Sequence, residues 1–176
     1  MSQSNWWATN IEVDISQGDI VSLFSFAVLN EPVKYLKKMN TLSNGLTGWT
    51  EQSNPAPDKK NAIHYLAKGK DLPGIIVSHS CDIDKNSKYI LVAPIGHIDF
   101  LKPEVIRTIE DQSNIRLFGI PNNPNFGDGY ADLRCITAIK STVVKGLTRS
   151  ASMTGQAQNL LQARLVEFFT RKTPEI

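Results

Sequence analysis

The densest run of reactive side chains is Ser78-His79-Ser80-Cys81-Asp82-Ile83-Asp84, which holds a thiol, an imidazole and two carboxylates. In extended chain His79 and Cys81 face the same way. With Asp82 and Asp84 they are candidate ligands for a metal such as zinc, completed by His64, His97 or Cys135. Cys81 is alternatively a nucleophile activated by a histidine, with His64 or His97 better placed to serve it than the near neighbour His79. The structural alternative is a hairpin tip, where Cys81 is a small buried residue and Asp82 forms an Asx turn. No CxxC or HExxH spacing supports a metal, and no cofactor is expected.

Charge gives a second clue. Nineteen Lys and Arg against 17 Asp and Glu leave a net charge of +2, which excludes a supercharged nucleic-acid tail and an acidic solvating protein. The total hides an asymmetry, because no acidic residue lies between Asp132 and Glu167. That stretch carries Arg134, Lys140, Lys145, Arg149 and Arg164, with Ser141, Thr142, Thr148, Ser150, Ser152 and Thr154 supplying hydroxyls. Cations mixed with hydroxyls suit a phosphate backbone. Lys34, Lys37, Lys38, Lys59 and Lys60 form a second basic group, and Trp6, Trp7 and Trp49 are candidates for base stacking. Solvated lysines and core tryptophans are the structural alternative.

These side chains need a scaffold, and 176 residues suffice for one domain with a core of its own. Gly18–Leu29, Gly74–His79, Tyr89–Ile95, Ile115–Ile120 and the alternating Tyr130–Lys140 read as strands. The short polar link between the second and third makes them an antiparallel hairpin. Glu31–Met39, Asn61–Lys68 and Pro103–Asp111 read as short helices. Gln156–Arg171 reads as a longer one, with Thr154 as its N-cap and Ala157, Leu161, Leu165 and Phe168 on its core face. Asn40–Asp58, rich in Gly, Pro and Asn, reads as an irregular loop. The sum is a mainly β chain with helices: a small bent antiparallel sheet or SH3-like barrel, single-domain over 1–176, with an insertion at 31–71 and a C-terminal helix at 156–171. Two cysteines, no basic-plus-apolar leader and no apolar run near membrane-span length predict a cytoplasmic protein without a membrane partner.

The order of these motifs resembles the PemK/MazF-like family of toxin endoribonucleases. The resemblance runs through Gly18-Asp19-Ile20-Val21, Pro73-Gly74-Ile75-Ile76-Val77-Ser78, Leu91-Val92-Ala93-Pro94-Ile95, Ile115–Pro121 and Asp132-Leu133-Arg134-Cys135-Ile136, and ends in a C-terminal helix. It implies an SH3-like barrel, a homodimer and single-stranded RNA as ligand. The basic residue that precedes the Pro in the toxins is Leu72 here, and the hydroxyl residue that follows their Pro-Ile is Gly96. The hairpin would put both near His97, leaving it as the titratable group for proton transfer, flanked by Lys70 and Asp71.

Three functions follow. The first is a nucleic-acid-binding barrel with an altered endoribonuclease site, using His97 together with Arg134, Lys140, Lys145, Arg149 and Lys70. The second is a non-catalytic interaction or sensor module of a phage-defence or mobile-element system, with a protein partner. The third is a hydrolase centred on Cys81 and His79 or on a metal there. The hairpin predicts that Cys81 and His97 lie at opposite ends.

Overall fold

The computed structural model describes residues 6–28, 34–38, 49–52, 64–66, 68–85 and 87–171. In chain order these form β1 (Ile20–Val28), β2 (Lys34–Lys38), β3 (Trp49–Gln52), β4 (His64–Leu66), β5 (Lys68–Ile76), α1 (Ser80–Asp84), β6 (Tyr89–His97), α2 (Pro103–Glu110), β7 (Leu117–Asn123), β8 (Gly127–Asp132), β9 (Thr137–Lys140), α3 (Ser141–Val144), β10 (Arg149–Ala151) and α4 (Gly155–Thr170). Single 3-10 turns sit at Ile98–Phe100 and Leu133–Cys135. The chain falls into two compact units, Met1–Phe24 with Asp71–Ile176, and Ser25–Lys70.

The larger unit is a mixed α/β fold. Its antiparallel sheet, ordered β10-β1-β5-β6-β8-β7 with β9 also on β6, curls into a half-barrel, and α4 is its C-terminal helix. The expected hairpin is β5–β6, with Gly74↔Pro94, Ile75↔Ala93 and Ile76↔Val92 in register. Both strands bury residues on both faces, which explains their near-continuous apolar runs. Ile75, Ala93 and Ile95 join Phe118 and Ala131 in the main core, while Ile76, Ile90 and Val92 are buried on the opposite side. The core is completed by Ala157, Leu161 and Leu165, the stripe expected of the last helix. Thr154 caps that helix by accepting from the Ala157 N–H, while Phe169 stays exposed. Burying a side chain such as Leu161 contributes about 1.5–3 kcal/mol.

Tyr130–Lys140 is not one strand. The turn at Leu133–Cys135 breaks it into β8 and β9, which pair with β6 at Ile95–His97 and Tyr89–Val92. Asp132 fixes the break by accepting from the Arg134 N–H at 3.0 Å. Pro94 lies in the gap between the two pairings, where β6 needs no donor.

Two outer edges of the sheet, on β7 and β10, are closed by the chain itself. On β7, Asn114 Oδ1 accepts from the Leu117 N–H at 3.0 Å. The Gln112 amide accepts from the Gly119 N–H and donates to the Gly119 carbonyl, at 3.2 and 3.1 Å. The Trp7 indole donates to the Pro121 carbonyl at 3.0 Å. On β10, Asn125 donates to the Ser150 carbonyl at 2.8 Å, and the Ala8 N–H donates to that of Ser152 at 2.9 Å. Trp7 also bridges to Met153 through its backbone, so one residue contacts both edges of the half-barrel.

The smaller unit holds a three-stranded antiparallel sheet, ordered β3-β2-β4. Two expected helices are corrected here. The described part of Glu31–Met39 is β2, and Asn61–Lys68 contains β4. Backbone pairing from both sides (Tyr35↔Gln52 and Tyr35↔Tyr65) overrides the local helical spacing. The expected Asn40–Asp58 loop contains β3, and its remaining residues lie outside the described ones.

Candidate nucleic-acid interface

β6 holds the catalytic candidates apart. Cys81 and His79 lie in the connection before it, at α1, and His97 ends it. Nine strand residues span roughly 26 Å between its ends. His79 is the N-cap of α1, its Nδ1 accepting from the Cys81 backbone N–H at 3.2 Å. That ring nitrogen is therefore occupied by the helix start rather than turned to the thiol. Among the described residues no group of three or more His, Cys, Asp or Glu comes together, which removes the geometric basis of a metal at His79–Asp84. Cys81 is exposed, not buried as the hairpin-tip alternative had it. The side chain of His64 lies outside the described ones.

His97 stands in an aromatic corner. Its ring meets Phe100 and Phe126 edge-to-face, with centroids 6.3 and 6.0 Å away. Phe100 is 86% exposed. The register of β6 with β8 pairs His97 with Gly129 and Gly96 with Tyr130. Side chains of neighbouring strand residues face opposite ways, so His97 and the Tyr130 group occupy opposite faces.

Tyr130, Asp132, Arg134 and Cys135 form that second group. The Tyr130 ring covers Gly96 so closely that a Cβ there would lie 2.7 Å from its hydroxyl oxygen. The space beside Gly96 is thus filled by a phenol from β8, which the strand pattern gave no means of seeing. Burial, and next the Asp132 carboxylate, push the Tyr130 phenol up. The same two causes push up the Cys135 thiol. Asp132 grips Arg134 through Nε and Nη2 at 2.8 and 2.7 Å, and these hydrogen bonds hold the guanidinium pKa up. The group can donate protons and present a cation. It offers no free base, because its one carboxylate is engaged by Arg134.

The basic residues separate in the same way. Arg149 is not a surface cation. Its guanidinium donates to the Asp14 and Val13 carbonyls at 2.7 Å each and to Asp19 at 3.2 Å. Trp6 is buried against Phe118, and Trp7 is half-buried on Pro121, so neither is free to stack on a base. The side chain of Trp49 lies outside the described ones. Lys70 is exposed and belongs to the Ser25–Lys70 unit.

Lys140 and Lys145 are exposed and flank α3. Lys140 pairs in register with Tyr89 at the start of β6, and Tyr89 is 47% exposed. The Lys88 ammonium stands 5.5 Å from the Tyr89 ring centroid. The aromatic and the third cation were missed at the sequence level, because Tyr89 opens an apolar run and reads as core. This patch sets a half-exposed ring beside the Lys88 ammonium and opposite exposed Lys140, with exposed Lys145 at the far end of α3. No helix among the described residues is long and apolar enough to cross a membrane. Set against known proteins, the chain matches no family model and no curated protein.

Proposed function

We propose that this protein binds single-stranded nucleic acid, RNA first, on the Lys88–Tyr89–Lys140–Lys145 surface, and does not cleave it. The observation that carries this reading is Tyr89, a half-exposed ring in register with Lys140 and capped by the Lys88 ammonium. Such a ring stacks an unpaired base, contributing about 1–3 kcal/mol, and the ammonium groups take the flanking phosphates. The resemblance to PemK/MazF-like barrels adds support for a single-stranded ligand. Cleavage by 2′-hydroxyl attack needs a base and a stabiliser of the developing charge. His97 stands apart from the cations, Tyr130 and Cys135 are biased toward their protonated forms, and Asp132 is engaged by Arg134.

The test is titration of a fluorescent decauridylate into the protein at low salt. Saturable binding is expected, with the oligonucleotide recovered intact. Absence of binding at low salt overturns the reading, and cutting abolished by His97→Ala would restore a catalytic role to that corner.

A further inference from the structure

Two edges of the curled sheet, on β7 and β10, are sealed by side chains and by the N-terminal segment. Among the described residues, nothing seals the outer edge of β9. Its hydrogen-bonding phase follows from β6. The Val77 N–H donates to the Leu91 carbonyl at 2.9 Å, and the Leu91 N–H donates to Ser78 Oγ at 2.8 Å, so the Leu91 backbone turns toward the β5 side. Ile90 and Val92 therefore turn toward β9 and bond Ile139 and Thr137. The Ser141 N–H donating to the Lys88 carbonyl at 3.0 Å continues the same phase. Ala138, opposite Leu91, must then point both its N–H and its carbonyl outward, and Lys140 points its N–H outward. No described group bonds them, and Ala138 is exposed.

We propose that the β9 edge receives an extended acidic segment of a partner protein by strand addition. The backbone of Ala138 and Lys140 supplies the hydrogen bonds. Charge selects the occupant. Lys140 and Lys145 flank the edge, Arg134 precedes it, and no acidic residue occurs between Asp132 and Glu167. A second copy of the chain would set two such basic edges side by side and be repelled. Leu91 and Val143, both partly exposed beside this strand, give an apolar contact for alternate side chains of the incoming segment. The inference goes beyond the nucleic-acid reading, because it uses the strand's backbone.

The probe is the peptide acetyl-(Val-Glu)4-amide, added to the whole protein and followed by amide hydrogen exchange and by titration. Slowed exchange is expected at Ala138 and Lys140. Ala138→Pro removes an outward N–H and leaves the β6 ladder intact. It should weaken peptide binding about tenfold while the melting temperature and the decauridylate affinity stay unchanged. Unaltered exchange at both amides, or wild-type peptide affinity in a folded Ala138→Pro, overturns the proposal. If Ala138→Pro lowers the melting temperature, Lys140→Glu/Lys145→Glu takes its place: weakened peptide binding supports the acidic occupant, and unchanged binding overturns it. Equal binding of acetyl-(Val-Lys)4-amide overturns it as well.

Discussion

Two aspartate–arginine pairs in this molecule have the same chemistry and opposite uses. Asp19 and Arg149 come from the two ends of the chain, and their side chains are 1% and 16% exposed. Asp19 accepts from the Ser16 N–H at 2.9 Å and from the Ser152 hydroxyl at 2.5 Å, while Arg149 reaches on to the carbonyls of Val13 and Asp14. This pair ties the N-terminal segment to β10. Asp132 and Arg134 are two residues apart and are 17% and 54% exposed. Their contact shapes one turn and leaves the guanidinium facing water. A basic segment is thus not a basic surface: Arg149 is consumed by the fold, and Lys140 and Lys145 are left to solvent.

The largest expected effect falls on the buried pair. Asp19→Asn leaves the Arg149 charge unmatched in a mostly buried site and should cost about 3 kcal/mol, a fall of roughly 6–12 °C in thermal unfolding. Asp132→Asn, in the exposed pair, should cost under about 1 kcal/mol. Equal losses in the two variants would erase the distinction between the pairs.

Next in size is Tyr89→Ala, which should weaken decauridylate binding by about 1–3 kcal/mol with stability kept. Trp7→Phe, which loses the indole donor to Pro121, should lower stability by about 1 kcal/mol and leave oligonucleotide affinity alone. A binding loss in Trp7→Phe would mean that the interface had been placed wrongly.

The smallest effects concern protons. The folded-state pKa of Tyr130 lies above its unfolded value, chiefly through burial. Its contribution is therefore complete below the unfolded phenol value of about 10 and is lost as pH rises through the folded value. Tyr130→Phe should flatten the fall in melting temperature above about pH 10. Asp132→Asn removes a charge that holds the Cys135 thiol up, so alkylation of Cys135 at mildly alkaline pH should speed up. An unchanged alkylation rate in Asp132→Asn would detach Cys135 from Asp132, and an unchanged alkaline limb in Tyr130→Phe would remove the phenol from the pH dependence of stability.

The sequence made some elements legible for local reasons. The β5–β6 hairpin shows as two apolar runs with a short link, and α4 as a stripe with a capping Thr154. Its prediction that Cys81 and His97 lie at opposite ends of the hairpin agrees with the structure, because it needed only antiparallel pairing. What stayed hidden depends on partners far along the chain. Lys34–Lys38 is a strand because strands on both sides pair with it. Arg149 is structural because Asp19 and the Val13 and Asp14 carbonyls converge on it. Tyr89 is exposed because at its end of β6 only the face of Ile90 and Val92 is buried, and Tyr89 shares the other face with exposed Leu91, where periodicity sees only another apolar residue. Tyr130 over Gly96 is likewise a register fact.

The most direct test of the central claim is the salt dependence of decauridylate binding in the wild type and in Lys140→Ala. Three engaged ammonium groups predict a slope of log K against log salt near −2, falling in magnitude by about 0.7 in the variant with the melting temperature unchanged. An identical slope in the two proteins would contradict the assignment of Lys140 to the bound phosphates, and with it the surface proposed for the ligand.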